Sequence, residues 1–190
     1  MEWLGVHDRC RAPELPKNNV ARHWQVRGVG HDEVVTSPDL PDSSTEQLRA
    51  YLREVAAVVA THGHAVQGVG ADIGHPGFAY TVGLAGDGHH ELAVSGLGFE
   101  VAADILDLAA AQLRAGSDAF TPGGRVSGLL SGDLLMAVRA VGDPYALKVA
   151  QALGGEPGAP VAAWQLLWPG PDGTYPGEDA GGPVLGQSLL

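Results

Sequence analysis

Two strand-like runs on either side of a glycine-rich turn occupy residues 75–97, HPGFAYTVGLAGDGHHELAVSGL, and restrict the fold more than any other stretch. Residues 78–84 are aromatic and β-branched, residues 91–97 are mostly apolar, and residues 86–88 read Gly-Asp-Gly. This pattern predicts a β-hairpin whose loop is slightly longer than the tightest turns. The same segment holds a His-His-Glu cluster, so potentially reactive groups are concentrated where two neighbouring strands meet.

Helices and further strands surround the predicted hairpin. A serine at position 43 or 44 can cap a helix whose apolar positions recur at helical spacing as far as Gly63, a suitable C-cap glycine. A second helix is predicted over residues 100–115. A third begins at Asp143, because an acid at the N-cap followed by proline favours a helix start. The other predicted strands cover residues 23–29, 64–69, 125–130, 134–141 and 162–168.

The order of these elements indicates the fold class. Helices and strands do not alternate as they do in βαβ units, so we predict an α+β fold with a mostly antiparallel sheet and about three flanking helices. A chain of 190 residues is long enough for a single domain with a buried core. We predict an irregular N-terminal arm over residues 1–42, a single domain over 43–176 and a Gly/Pro-rich tail over 177–190.

The charge balance limits the classes of partner. The formal net charge is −11, and residues 61–190 hold most of it, with 4 basic and 13 acidic residues. An acidic surface repels phosphate groups, so we expect neither nucleic acid nor an anionic membrane as a partner. A small molecule or a basic protein is compatible with this charge. Nothing in the sequence predicts an oligomeric state.

Cysteine use and hydropathy indicate a compartment. The single cysteine, Cys10, excludes an internal disulfide framework and favours a reducing environment. No apolar run approaches the length of a membrane span, and the first ten residues lack the pattern of a secretory signal. We therefore expect a cytoplasmic protein.

Histidines are concentrated near the hairpin. Such density suits acid–base chemistry or a transition metal, and two histidines with a carboxylate are a common ligand set. The His-Glu-x-x-His pattern is absent, and the pair of His89 and Glu91 lacks the Pro-Cys-x-x-Cys half of a zinc deaminase. We therefore assign no metal ligands. The five histidines concerned are His62, His64, His75, His89 and His90.

Two strands carry further candidate residues. Alternation along residues 78–84 places Tyr80 on one face and Thr81 on the other, where small neighbours leave room for a ligand or for a closely packed helix. Trp164 and Trp168 share a face of the last predicted strand, where they line a pocket or join the core. The candidate catalytic residues are His89, Glu91, Tyr80 and Thr81, and the candidate binding residues are Trp164, Trp168, Asp172 and His62.

Residues 61–176 resemble a bacterial family of domains of unknown function, DUF4262. The resemblance rests on four ordered motifs, HGHAVQGVG, FAYTVGL, GHHELAVSGL and WPGPDGTYP. The chain departs from the family pattern at four positions: His64 and Gly177 replace tryptophans, His90 replaces a proline and Gly170 replaces an acid. The family name implies no activity. The resemblance implies only where a shared site would lie, at Tyr80, Thr81, Gly83, His89, Glu91, Gly96, Trp168 and Asp172.

Two functions stay open at this point. The first is an accessory protein that binds a small molecule or another protein without catalysis. The alternative is a small enzyme with a cleft in the hairpin, where His89 acts as general base or metal ligand, Glu91 orients it, and Tyr80 or Thr81 donates a hydrogen bond. The cofactor is unknown, and a bound flavin remains one alternative.

Overall fold

A central β-sheet of eight strands organises the protein. A computed structural model describes residues 24–28, 34–36, 45–73, 75–156, 158–177 and 186–190. The strands are β1 (Trp24–Gly28), β2 (Val34–Thr36), β3 (Ala65–Val69), β4 (Phe78–Val82), β5 (Glu91–Ser95), β6 (Arg125–Val126), β7 (Met136–Ala140) and β8 (Ala163–Leu167). Their order is β2-β1-β3-β4-β5-β8-β7-β6. Only the pair of β5 and β8 is parallel, so the predicted α+β fold with a mostly antiparallel sheet is confirmed.

In the described part of the chain, three α-helices cover the two faces of the sheet. They are α1 (Thr45–His62), α2 (Phe99–Arg114) and α3 (Lys148–Gly154). The buried face of α2 packs with Val66, Ala79, Leu92 and Leu166 in one core cluster. Residues of α1 and α3 pack on the other face, in a second cluster that contains Tyr80. The alternation of side chains along a strand therefore serves two separate cores. Among the described helices, none has both the length and the apolar character needed to cross a membrane.

The predicted hairpin forms between β4 and β5, but its connection differs from the predicted loop. A 3-10 helix over Leu84–Asp87 replaces the open Gly-Asp-Gly loop. β4 also ends at Val82, because Gly83 turns the chain with a φ of 117°, a conformation that glycine adopts readily. The two strands are thus joined by a short helical turn.

The third predicted helix is interrupted. Asp143 caps the chain as expected, since its Oδ1 accepts a hydrogen bond from the Tyr145 amide at 3.1 Å. This cap starts a 3-10 helix over Pro144–Ala146, and α3 begins only at Lys148. Leu147, with a ψ of 61°, separates the two because it leaves the helical region.

The segments outside the predicted domain also contribute to the sheet. A strand predicted over residues 23–29 corresponds to β1, which pairs with β3 and β2, so residues 1–42 include two strands of the sheet. Cys10 and the two candidate capping serines lie outside the described residues. Residues 186–190 form no strand, yet their main chain is hydrogen-bonded to β5 and β8 side chains. The domain boundaries themselves stay a prediction.

Candidate functional site

A polar cluster interrupts the pairing of β4 with β5. The ladder joins Tyr80 to Ala93 and stops there. At the next position the Leu92 amide donates to the hydroxyl of Thr81 at 2.8 Å, and this hydroxyl donates to Glu91 Oε2 at 2.6 Å. The Thr81 side chain thus takes the place of a main-chain acceptor, and it brings a carboxylate into the core.

Both oxygens of the Glu91 carboxylate accept hydrogen bonds from neighbouring groups of the protein. Its Oε1 accepts the amides of Gly83 at 2.8 Å and Ala85 at 3.1 Å, and the residue is only 1% exposed. Every partner of the carboxylate is a donor, which matches an ionised acid. Burial raises the pKa of Glu91, while the hydrogen bonds from Thr81, Ala85 and Gly83 oppose this shift. Glu91 therefore holds the 3-10 turn against β5.

Of the four predicted catalytic residues, the structure joins Thr81 to Glu91 and does not join His89 to Glu91. His89 is partly exposed beside the turn, and no hydrogen bond joins its imidazole to Glu91, both residues being among those described. Tyr80 is fully buried, and its hydroxyl accepts the Val149 amide of α3 at 3.2 Å. Burial raises the pKa of this phenol. The prediction that Glu91 orients His89 therefore has no counterpart in these contacts.

Trp164, in β8, and Trp168, directly after its last residue, lie on the same side of the sheet, as predicted. Both pack against the core cluster below α2, on the same side as Leu166. The His90 ring stacks on Trp164 with 4.2 Å between ring centres, and burial together with the neighbouring His89 lowers the pKa of His90. Trp168 donates from Nε1 to the Ser95 carbonyl at 3.2 Å. Neither indole is among the residues that line the described pocket near Gly96.

The remaining predicted binding residues lie apart from one another. Asp172 is exposed in a turn, where its Oδ1 accepts the hydroxyl of Thr174 at 2.7 Å and its amide at 3.1 Å. These hydrogen bonds lower the pKa of Asp172. His62 is the last residue of α1 and is partly exposed. In the part of the chain that the structure describes, no three His, Cys, Asp or Glu side chains are grouped to hold a metal ion.

Sequence reasoning missed an ion-pair network around His64. The buried His64 ring contacts Asp107 through Nε2 at 3.1 Å and Arg114 through Nδ1 at 2.9 Å. Because a guanidinium only donates, Nδ1 is the acceptor and Nε2 carries the proton. Arg114 also donates to Asp87 at 2.9 and 3.0 Å and to the Gly63 carbonyl at 3.1 Å. The network ties α2 to the end of α1 and to the 3-10 turn.

A pocket of about 450 Å³ lies at the opposite end of β4 and β5 from Glu91. Its volume is in the range of small-molecule sites, which is about 300–1,000 Å³. Main chain is accessible along its walls at Gly68, Gly70, Gly77, Gly96 and Gly186. Of the residues that line it, only Gly96 was among the candidate positions, because a pocket wall leaves no local pattern in a sequence. Its apolar walls are Val69, Ala71, Pro76, Phe78, Ala79, Leu97 and Phe99.

The raised pKa of Glu91 makes stability depend on pH. Because the folded protein holds a proton here more tightly than the unfolded chain does, this site contributes most below the ordinary pKa of 4.5. The contribution is lost as pH rises through the folded pKa. We expect the free energy of unfolding of the wild type to fall relative to that of Glu91→Gln as the pH rises above the ordinary pKa of 4.5. Urea denaturation of both proteins measures this difference, and a constant difference would contradict the prediction.

Comparison with known proteins gives a family but no described relative. A family model with the description "Domain of unknown function (DUF4262)" matches residues 58–181, which is more than half of the chain. The comparison with curated proteins matched none, and the comparison with solved structures matched none either. The matched range contains both the Glu91 cluster and nearly all of the pocket lining.

Proposed function

The chain belongs to the DUF4262 family, and we propose that it is a non-catalytic binding protein whose pocket takes a small, largely apolar molecule. The observation that carries this proposal is a contrast between the two ends of the β4–β5 hairpin. At one end both oxygens of Glu91 are occupied by donors of the fold. At the other end apolar side chains and glycine main chain surround a pocket of ligand size.

The lining of the pocket indicates the chemistry of its ligand. Phe78, Leu97 and Phe99 offer aromatic and aliphatic contact area. No Lys, Arg, Asp or Glu is among the described residues that line the pocket, so these walls offer a charged ligand no ion pair. An uncharged ligand with one or two polar atoms, bonded to main-chain groups at the glycines, fits these walls best.

The loop between β3 and β4 adds an apolar contact at the rim. Asp72 and His75 exchange main-chain hydrogen bonds of 2.9 and 3.0 Å, which closes a tight turn. This turn presents Ile73, which is 91% exposed. Ala71 and Pro76, on either side of this turn, line the pocket, and we propose that Ile73 contacts a protein that delivers the ligand.

The wider setting of this function is also a proposal. We infer a cytoplasmic location from cysteine use and hydropathy, and a net charge of −11 favours a basic protein over nucleic acid as a macromolecular partner. The enzymatic alternative gains no support, because its proposed carboxylate already accepts three hydrogen bonds within the fold.

Filling the pocket should abolish binding of an apolar probe. Ala71 is exposed and lines the pocket, so Ala71→Trp places an indole in its mouth. We expect this change to raise the dissociation constant for Nile red about tenfold or more, a loss of about 1.4 kcal/mol or more. Nile red is uncharged, so the acidic surface does not repel it, and its fluorescence rise measures binding.

The matched control adds an indole elsewhere. Ala60 is exposed on α1, away from the pocket lining, so Ala60→Trp should bind Nile red as the wild type does. Equal binding by wild type and Ala71→Trp would exclude this pocket as the site. Absence of saturable binding to the wild type would overturn the proposed apolar site.

A further inference from the structure

Two buried polar side chains lie side by side on the parallel strands β5 and β8. Ser95 is 1% exposed and Gln165 is 0% exposed. The Gln165 Nε2 donates to the Ser95 hydroxyl at 3.2 Å. Burying such groups is costly unless each is hydrogen-bonded. The other hydrogen-bond partners of Ser95 and Gln165 therefore show what kind of segment binds here.

Those partners are main-chain groups of residues 186–190. Ser95 donates to the Ser188 carbonyl at 2.8 Å and accepts the Ser188 amide at 3.1 Å. Gln165 donates to the same carbonyl at 2.6 Å and accepts the Leu190 amide at 2.9 Å. The Leu190 carbonyl accepts the Gly142 amide at 2.7 Å. Ser188 and Leu190 are two residues apart, and each uses both its amide and its carbonyl, as alternate residues of a bound extended chain do.

Two positions of the segment add sequence selectivity to these main-chain contacts. The Gln187 carboxamide accepts the Trp168 amide at 3.1 Å and donates to the Trp168 carbonyl at 2.8 Å. A shorter or charged side chain cannot make both bonds. Gly186 has a φ of 91°, a conformation that other residues rarely adopt. The contacts therefore select glycine followed by glutamine.

We propose that the groove formed by Ser95, Gln165 and Trp168 is a recognition site for an extended peptide with glycine followed by glutamine. Residues 186–190, Gly-Gln-Ser-Leu-Leu, are its occupant within the chain. The same sequence presented by another chain fits the groove when this segment is displaced. The site is distinct from the apolar ligand proposed above, although Gly96 and Gly186 border both.

The test opens the groove in the full-length chain and adds the peptide back. Gln187→Ala removes both hydrogen bonds to Trp168 and leaves the groove residues intact. With 15N-labelled protein, we expect acetyl-Gly-Gln-Ser-Leu-Leu to shift the Gln165 side-chain amide resonances saturably in this variant. The wild type should need about tenfold or more peptide, because the tethered segment competes at an effective concentration of about millimolar.

Matched peptides and variants decide the outcome. Acetyl-Gly-Ala-Ser-Leu-Leu lacks the carboxamide and should bind Gln187→Ala several-fold more weakly. Leu189→Ala alters a side chain that is 43% exposed and should behave as the wild type does. Ser188→Pro, which removes the amide bound by Ser95, serves as a second opened variant if Gln187→Ala does not fold. No shift in either opened variant, or equal shifts with both peptides, would overturn the proposal, and neither result bears on Nile red binding.

Discussion

Replacing Glu91 with alanine is expected to lower the free energy of unfolding by about 2–5 kcal/mol, since each unpaired buried donor costs about 1–3 kcal/mol. The change leaves the amides of Gly83 and Ala85 without their acceptor. The Thr81 hydroxyl loses its acceptor too, although the Leu92 carbonyl lies 3.5 Å away and offers a poorer one. Urea denaturation followed by circular dichroism gives the free energy directly.

Three matched variants separate the effect of lost hydrogen bonds from the effect of lost side-chain volume. Glu91→Gln keeps an oxygen for both amides and can donate to Thr81, so its cost at neutral pH should be within about 1 kcal/mol. Thr81→Ser retains the hydroxyl that links Leu92 to Glu91, whereas Thr81→Val removes it at similar volume. If Glu91→Ala were as stable as Glu91→Gln, the carboxylate would have no structural role. The catalytic role predicted for Glu91 from the sequence would then be supported again.

Gly96→Ala should be the most damaging glycine substitution at the groove. A Cβ at this position would lie 1.9 Å from the Gly186 carbonyl oxygen, and Gly96 has a φ of 77°. Backbone strain of about 1–2 kcal/mol adds to the loss of hydrogen bonds from residues 186–190. We expect the free energy of unfolding to fall by about 2–4 kcal/mol.

The control for this substitution lies two residues away. Gly98 has a φ of −61° and nothing within 4 Å of a built Cβ, so Gly98→Ala should cost less than about 1 kcal/mol. A changed Trp168 emission in Gly96→Ala alone would report displacement of Gln187, because its side chain holds the Trp168 main chain. Equal stability of the two alanine variants would show that residues 186–190 do not pack against Gly96 in solution.

Several candidate residues are important for the fold in ways that their residue types alone do not reveal. Thr81 and Glu91 stand in motifs that suggest reactivity, yet both side chains make their hydrogen bonds to other residues of the β4–β5 hairpin. His64 belongs to a histidine-rich stretch that suggests metal binding, yet its two nitrogens contact Asp107 and Arg114. Polar side chains near a turn have many available partners, and only the folded chain shows which ones they use.

The residues of the proposed binding pocket, in contrast, show no functional motif in the sequence. The pocket walls come from the ends of β3, β4 and β5, from the start of α2 and from Gly186. These residues are mainly apolar side chains and glycines, which carry no chemistry that a motif search recognises. The concave surface arises because three strand ends and a helix start meet at one edge of the hairpin.

The α+β class, the mostly antiparallel sheet, the helices near residues 45–62 and 99–114, and the hairpin of β4 and β5 could all be predicted from the sequence. These features follow from hydrophobic periodicity and turn residues, which act over a few neighbouring positions. The burial of Glu91, the contact of His64 with Asp107, the pocket and the groove for residues 186–190 became visible only in the folded chain. Each depends on contacts between distant positions, such as Ser95 with Ser188, and local patterns carry no information about such contacts.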